Sequence, residues 1–111
     1  CSGFAHLLAK ALVLFPEVPR RWLHGAQVAY AILPMKVHQG RPREDLLRYA
    51  EWLRSLDMPS TLEELGLADV SPEQLLAACR EVHPNPSAEL PYTPEELRDC
   101  VFKADELLKQ P

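Results

Sequence analysis

Glycine is scarce in this sequence, and its scarcity excludes the usual phosphate-binding loops. The 111 residues contain four glycines, at positions 3, 25, 40 and 66, and no two of them lie closer than 15 positions. Neither a G-x-G-x-x-G turn nor a Walker loop can be built with this spacing. A site for the phosphates of a nucleotide therefore has to come from outside this chain.

A surplus of positive charge and a long apolar run are also missing. Lys and Arg number 12 against 16 Asp and Glu, so the net charge is −4, whereas a dedicated nucleic-acid binder needs a basic surplus. The apolar stretch over residues 4–15 carries His6 and Lys10 and is too short to span a bilayer. We expect no nucleic-acid partner and no membrane segment.

Cysteine is represented by an odd, scattered set, Cys1, Cys79 and Cys100, without C-x-x-C spacing. We interpret these as reduced thiols of a cytoplasmic protein, with Cys79 and Cys100 in helix cores. The sequence begins with Cys1 rather than methionine, and residues 4–15 already have the pattern of a secondary-structure element. We expect that a leader was removed or that this is the downstream part of a longer protein.

The apolar pattern that is present predicts helices throughout. Hydrophobic residues make up 47% of the chain, and they recur at helical spacing over 42–58, 72–83 and 94–109. No β-branched run alternates with period two, so a sheet is not expected. A further helix over about 25–38 contains Pro34, which should kink or split it.

Helix boundaries are also marked in the sequence. Capping boxes with proline at the first helical position occur at 71–74 and 93–96, and residues 60–64 offer a capping box for a short helix that Gly66 can end. Breaks fall at 16–19, 39–42, 58–59 and 83–91, the last being a surface loop. We predict an all-α fold, a bundle of about six helices in a single domain over residues 1–111.

Two of the four histidines are candidate metal ligands. His6 lies in an apolar helix, and His24 opens the next helix 18 residues later. Two facing imidazoles suit zinc or iron, but a catalytic site needs a third protein ligand. A histidine on an apolar face is more often a structural core residue, so spacing alone leaves both interpretations open. His38 and His83, at helix C-terminal ends, are expected to be structural.

No aspartate of this chain is obviously aimed at the two histidines. The available carboxylates fall on helix surfaces or caps; they are Asp45, Asp57, Asp69, Asp99 and Asp105. No arrangement of serine or cysteine with histidine stands out as a nucleophile. We therefore assign no catalytic and no cofactor-binding residue within this chain.

Three stretches of the sequence, in order, resemble one known family. The segment 2–33 resembles the start of the helical C-terminal domain of the iron-containing alcohol dehydrogenase superfamily, in the branch of the glycerol and glycerol-1-phosphate dehydrogenases. Its members carry a histidine in a helix and then a His-Gly-x-x-Val-Ala helix start, here His6 and residues 24–29. Residues 56–62 are similar to the family's G-L-P-x-T-L turn, and residues 93–105 to its closing T-P-E-x-V…A-D helix.

The resemblance implies a fold and a chemistry. The fold is the C-terminal domain of a two-domain, dehydroquinate synthase-like protein. His6 and His24 would bind a divalent metal, zinc or iron, with an aspartate from outside this chain. The metal would polarise the hydroxyl of a small polyol or alcohol for hydride transfer to NAD(P), which an N-terminal nucleotide-binding domain holds. Ala9 stands where many members have a second histidine, and Ala31 where many have glycine.

Two other interpretations remain open at this stage. A stand-alone helical module that kept the fold could act in binding or assembly without catalysis. A dehydroquinate synthase-like lyase would need several cations around a phosphorylated acid, and only Lys10, Lys36 and the pair at 20–21 are near, so it ranks lower. For the dehydrogenase interpretation we expect the isolated chain to be inactive, and the sequence leaves a homo-oligomer open.

Overall fold

The computed structural model describes residues 3–83 and 92–109. Within these ranges the chain forms helices and no strand, which confirms the all-α prediction. The predicted loop at 83–91 and the thiol of Cys1 fall largely outside the described residues. The helices are α1 Phe4–Leu12, α2 Glu17–Arg21, α3 His24–His38, α4 Arg43–Ser55, α5 Leu62–Leu65, α6 Pro72–Val82 and α7 Pro94–Lys109.

The segment around Pro16 and Pro19 differs from the prediction of a break. The first helix ends at Leu12, before the residue that Pro16 restricts, which is Phe15. Directly after Pro16 the chain forms the short helix α2. Pro19 is tolerated there because it lies in the first turn, where backbone N–H groups have no intrahelical acceptor in any case.

Pro34 does not split α3, which runs unbroken from His24 to His38. A proline at this position removes the N–H that would bond to the carbonyl of Tyr30. One residue earlier, the carbonyl of Ala29 accepts a hydrogen bond of 2.7 Å from Tyr49 Oη on α4. Of the two predicted effects, a kink or a split, the split is wrong. A side chain from a neighbouring helix supports the backbone beside the proline.

The predicted caps are confirmed. Ser71 Oγ accepts from the N–H of Gln74 at 3.1 Å, and the Gln74 side chain accepts from the N–H of Ser71 at 2.9 Å. Thr93 and Glu96 exchange the same two bonds at the start of α7, at 3.1 and 3.0 Å. Thr61 Oγ1 caps α5. These bonds satisfy N–H groups that have no acceptor within their own helices.

Three helix ends use the left-handed backbone conformation. The residues are Gly40, Gly66 and Asp57, with φ of 73°, 95° and 57°. After α4 the N–H of Met58 donates to the carbonyl of Leu53 at 2.9 Å, the long bond of a Schellman motif. Asp57 is the residue that stands at the glycine position of the G-L-P-x-T-L turn, so a non-glycine side chain occupies a conformation that usually favours glycine.

The core lies where α1, α3, α6 and α7 pack against one another, with α4 closing one side. Burial of each of its large apolar side chains stabilises the fold by about 1.5–3 kcal/mol. Among the described residues, no helix has both the length and the apolarity needed to cross a membrane. The largest fully buried side chains are those of Leu8, Leu12, Val18, Tyr30, Leu33, Leu46, Leu53, Leu65, Leu75, Leu97 and Val101.

Candidate metal centre

His6 lies on the solvent-facing side of α1. Every residue of this helix is buried except His6 and Lys10, which are four positions apart and so share one exposed stripe. The buried remainder of α1 packs against α3 and α6. The imidazole of His6 is therefore held at the surface by a helix that is itself anchored on its other sides.

His24 is the first residue of α3, as predicted, and its side chain is exposed. The residue before it, Leu23, has extended backbone and a side chain that is 86% exposed. At Gly25 a Cβ atom would meet nothing within 4 Å. The first turn of α3 therefore presents an imidazole, an apolar side chain and a glycine to open space.

The helices that carry the two histidines pack against each other. The ring of Phe4 lies 5.2 Å from the ring of His38, which is at the opposite end of α3 from His24. The ends of a fifteen-residue helix are about 21 Å apart. Whether His6 and His24 can reach the same ion therefore depends on the angle at which α1 crosses α3. That both imidazoles bind one ion stays a prediction.

The described residues contain no group of three or more His, Cys, Asp or Glu placed to hold a metal ion. Asp105 accepts a hydrogen bond of 3.0 Å from the N–H of Leu62 and pairs with Lys109. Asp99 pairs with the neighbouring Arg98 at 2.8 Å. Two neutral imidazoles fit the ligand preferences of zinc or iron, but they fill half of a tetrahedral shell and need carboxylate or solvent ligands beside them.

The two described cysteines do not supply a thiolate. Both are free and buried, as predicted. Burial raises the pKa of Cys79 to about 12 although Arg98 opposes the shift, and burial with the nearby Glu96 raises that of Cys100 to about 11. Both thiols are protonated at neutral pH and act as core residues.

The other two described histidines have structural surroundings, as expected. His38 ends α3, stacks beside Phe4 and lies with its Nε2 3.4 Å from Glu96 Oε2. His83 follows the last turn of α6, and its Nε2 is 3.4 Å from the carbonyl of Tyr92. Aromatic packing and a helix C-terminus account for both.

A set of hydrogen bonds fixes the segment that leads into His24. The Gln27 side chain is 3% exposed, and its Nε2 donates to the carbonyl of Trp22 at 2.9 Å. The indole Nε1 of Trp22 donates in turn to the carbonyl of Glu64 at 3.0 Å. The connection between α2 and α3 is thus tied to the first turn of α3 on one side and to α5 on the other.

Glu64 is itself held in place by the turn before it. Its Oε1 accepts from both the N–H and the Oγ of Ser60, each at 2.8 Å. Burial alone would raise the pKa of Glu64, but these two hydrogen bonds, together with Arg54, lower it below its ordinary value. The carboxylate is therefore ionised at neutral pH and bonded to the residue that opens the turn.

Sequence reasoning did not identify Gln27, Trp22 or Glu64 as parts of the site. Gln27 lies inside the His-Gly-x-x-Val-Ala stretch and Glu64 just beyond the G-L-P-x-T-L stretch. The motifs therefore indicated the right segments of the chain, but not these side chains. Trp22 and Glu64 are 42 residues apart along the chain, and nothing in the sequence around either residue indicates that they are hydrogen-bonded.

An open cavity of about 320 Å³ lies away from both histidines. It is lined mainly by α2, α5 and the segment after α5, and its acidic residues are Glu17, Glu63 and Asp69. Neither His6 nor His24 is among its lining residues. Both histidine side chains are exposed and lie outside the lining of this cavity.

The chain is similar to glycerol dehydrogenases along nearly its whole length. It is 30% identical over 105 residues to glycerol dehydrogenase 1 of the yeast Schizosaccharomyces pombe, a match that covers 91% of this chain and 23% of the relative. Identity to the glycerol dehydrogenase of Citrobacter freundii is 26% over 110 residues, covering 96% and 30%. No family model matches the chain.

Solved structures agree with the sequence matches. The crystal structure of glycerol dehydrogenase from Schizosaccharomyces pombe superposes with a TM-score of 0.80 at 26% identity, over 96% of this chain and 28% of that one. The chain is homologous to the C-terminal domain of the glycerol dehydrogenases. A probable glycerol dehydrogenase from Sinorhizobium meliloti 1021, at 23% identity, shares the fold, with a TM-score of 0.81 over 96% of this chain and 31% of that one.

The glycerol dehydrogenases that match are longer proteins, of which this chain spans between about a quarter and a third. The expected glycerol dehydrogenase branch and the expected helical C-terminal domain are both confirmed.

Proposed function

We propose that this chain is the metal- and substrate-binding helical domain of an NAD(P)-dependent, glycerol-type polyol dehydrogenase. The observation that carries the proposal is the match to the yeast glycerol dehydrogenase, at 30% identity over 91% of the chain. Two exposed imidazoles on helices that pack together, His6 on α1 and His24 on α3, give the domain its metal-binding chemistry. In this proposal the nucleotide site belongs to an N-terminal nucleotide-binding domain outside this chain.

In this proposal the chain's own residues bind and orient the metal ion. His6 and His24 donate through neutral ring nitrogens, and the buried faces of α1 and α3 keep their backbones in place. A bound zinc or iron ion would supply Lewis acidity toward the substrate hydroxyl, whose carbon gives up the hydride. The open space beside Gly25 leaves room for a substrate or for the neighbouring domain at the start of α3.

The buried surroundings of Ala9 and Ala31 favour a site with two histidines from this chain. Ala9 has no donor atom for a metal ion and is fully buried, so position 9 contributes no second ligand on α1. Ala31 is equally buried on α3 and fills space that a glycine would leave empty. The remaining ligands would come from a carboxylate outside this chain and from solvent.

The isolated chain is expected to be inactive, because its sequence has no glycine-rich phosphate-binding loop and its described residues form no group of three metal ligands. The free, buried state of Cys79 and Cys100 is typical of a reducing compartment, and we propose that the protein works in the cytoplasm.

The decisive experiment is an assay of the full-length protein that carries this sequence. We expect metal-dependent oxidation of glycerol or a small diol with NAD+ or NADP+, lost on chelation and restored by zinc or ferrous iron. His24→Ala should reduce kcat/KM by a factor of a hundred or more. Loss of a residue that only hydrogen-bonds to a metal ligand already costs roughly 10–100-fold, and loss of the ligand itself should cost at least as much. His83→Ala serves as the matched control. Activity of His24→Ala within a few-fold of wild type would disprove the ligand assignment.

The same assay separates the other interpretations. Absence of any nucleotide-dependent oxidation, with the fold intact, would favour the non-catalytic binding or assembly module. Phosphate release from a phosphorylated acid would favour the lyase. The sequence upstream of residue 1 gives independent information, because a preceding β/α region with a glycine-rich turn is required for the dehydrogenase.

A further inference from the structure

The segment that enters α3 is held by a part-buried hydrogen bond to α3 and by a tertiary hydrogen bond to α5, and the histidine that follows it is exposed. Gln27 is one of three buried polar residues among the described ones, with 3% exposure; the others are Ser60 and Asp105. Burying an amide is unfavourable unless it is hydrogen-bonded. Its Nε2 donates to the carbonyl of Trp22, two residues before His24, so the buried amide acts on the backbone that leads to the imidazole.

The indole of Trp22 continues this connection away from α3. Its Nε1 donates to the carbonyl of Glu64 at 3.0 Å, and the Glu64 carboxylate accepts two bonds from Ser60. The backbone at Trp22 is extended, as is that of Leu23. An extended two-residue connection between helices has few bonds of its own, so these side-chain bonds define its course.

The same turn is anchored on its other side to α7. The N–H of Leu62 donates to Asp105 Oδ1 at 3.0 Å, and Lys109 pairs with Oδ2 of the same carboxylate at 3.0 Å. A continuous path of bonded residues therefore runs from α7 through the turn at 60–64 and Trp22 to Gln27 on α3. It joins the three sequence stretches that carry the resemblance to the glycerol dehydrogenases.

We infer that Gln27 is a positioning residue for His24, acting through the Trp22 carbonyl and supported by the Trp22–Glu64 hydrogen bond. This inference rests on the proposed function, in which His24 binds a metal ion. Gln27 does not touch the ion. It fixes the entry of α3, so that the exposed imidazole reaches the ion without first having to order its own backbone, which lowers the entropic cost of binding.

The test measures metal binding rather than activity. Cobalt(II) is titrated into the metal-free, full-length protein, and the dissociation constant and the visible d–d spectrum are recorded. Gln27→Leu keeps the volume of the side chain and removes its donor. We expect it to weaken cobalt binding by about 10- to 100-fold, the range found when a partner that orients a ligand is lost, and to change the d–d spectrum. Trp22→Phe, which removes the more distant link and keeps a ring, should give a smaller effect in the same direction.

The matched control is Thr93→Ala, which removes an N-cap bond at the start of α7. Glu96, in the first turn of α7, contacts His38, so the control acts near the opposite end of α3 from His24. If Thr93→Ala lowers the melting temperature as much as Gln27→Leu but leaves cobalt binding unchanged, the effect of Gln27 is one of positioning. Equal weakening by the control would show general destabilisation and overturn the inference.

Two further outcomes separate the inference from the proposed function. Loss of cobalt binding in His24→Ala, with wild-type binding in Gln27→Leu and Trp22→Phe, would overturn the positioning role and leave the proposed function standing. Unchanged cobalt binding in His24→Ala would overturn the ligand assignment and, with it, the inference. Amide hydrogen exchange at residues 23–27 gives a second readout, and we expect Gln27→Leu, but not Thr93→Ala, to accelerate it at this segment.

Discussion

The backbone N–H of Leu62 donates a 3.0 Å hydrogen bond to Asp105, 43 residues away on α7. Leu62 is the first residue of α5 and ends the G-L-P-x-T-L stretch, whereas Asp105 ends the A-D pair of the closing helix. Two sequence features that resemble one family are therefore in direct contact. The carboxylate gives a helix N-terminus the acceptor that its own helix cannot provide.

Replacement of Asp105 should cost more stability than its ion pair alone would suggest. Asp105→Ala leaves the N–H of Leu62 without its buried acceptor, and we expect the free energy of unfolding to fall by about 1–3 kcal/mol. Lys109 is 67% exposed in its side chain, so Lys109→Ala should cost less than about 1 kcal/mol. Urea denaturation of both variants checks this, and equal losses would refute the capping role.

Tyr30 and Tyr49 should respond in opposite ways to replacement by phenylalanine. Tyr30 is 1% exposed, and its hydroxyl has no hydrogen-bond partner among the described residues. Burial, with the nearby Asp105, raises its pKa far above the ordinary value, so the group stays neutral. Tyr30→Phe should therefore raise the free energy of unfolding by about 1 kcal/mol, because it removes an unsatisfied buried hydroxyl.

The control for this prediction is Tyr49→Phe. The Tyr49 hydroxyl donates to the carbonyl of Ala29 beside Pro34 at 2.7 Å, and loss of this bond should lower stability by about 1 kcal/mol. The measurement is the midpoint of thermal or urea unfolding for each variant. Destabilisation of Tyr30→Phe by as much as Tyr49→Phe would show that Tyr30 has a partner after all.

Substitutions at Asp57 and Gly66 test whether these helix ends have the left-handed backbone conformation. Asp57 has φ of 57°, a conformation that costs a non-glycine residue about 1–2 kcal/mol, partly offset by the larger unfolded-state entropy of glycine. We expect Asp57→Gly to stabilise the protein by about 0.5 kcal/mol. Gly66→Ala should destabilise it by about 1–2 kcal/mol, since φ is 95° and a Cβ would lie 3.3 Å from Glu17 Cβ. Stabilisation by Gly66→Ala would contradict the assigned geometry.

The carboxylate of Glu64 makes the free energy of unfolding depend on pH in the acidic range. Its pKa in the folded protein lies below the ordinary 4.5 because hydrogen bonds from Ser60 outweigh burial. Such a group contributes its stability above the unfolded pKa and loses it as pH falls through the folded pKa. Between about pH 5 and pH 3, wild type should therefore lose stability more steeply than Glu64→Gln. Urea unfolding at several pH values measures both slopes, and identical slopes would show that Glu64 contributes nothing to acid lability.

The local parts of the fold could be predicted from the sequence, and the tertiary bonds could not. The caps at Ser71 and Thr93 depend on residues three positions apart, and the pattern contained both partners. The short helix α2 was missed because a pair of prolines usually marks a break, while Pro19 happens to fall in a first turn. Gln27 gave no local indication of its role, since the carbonyl it binds belongs to a segment whose path only the folded chain defines.

The candidate site was predictable to the same degree. The position of His24 at the start of α3 was predicted from the His-Gly helix start, whereas the exposure of its side chain and the burial of Ala9 were not. The ligands beyond the two histidines belong to no motif of this chain. A physical reason is that a metal shell is assembled from distant segments, so that one domain carries only part of it.

The most direct test of the account is the metal content of the purified full-length protein. We predict about one zinc or iron ion per chain in the wild-type protein, by analogy with other single catalytic sites, with that ion lost in both His6→Ala and His24→Ala and retained in His83→Ala. Elemental analysis of the three variants and wild type, each checked for intact helical content, gives the answer. Full metal content in His6→Ala and His24→Ala would contradict the assignment of these two histidines as ligands.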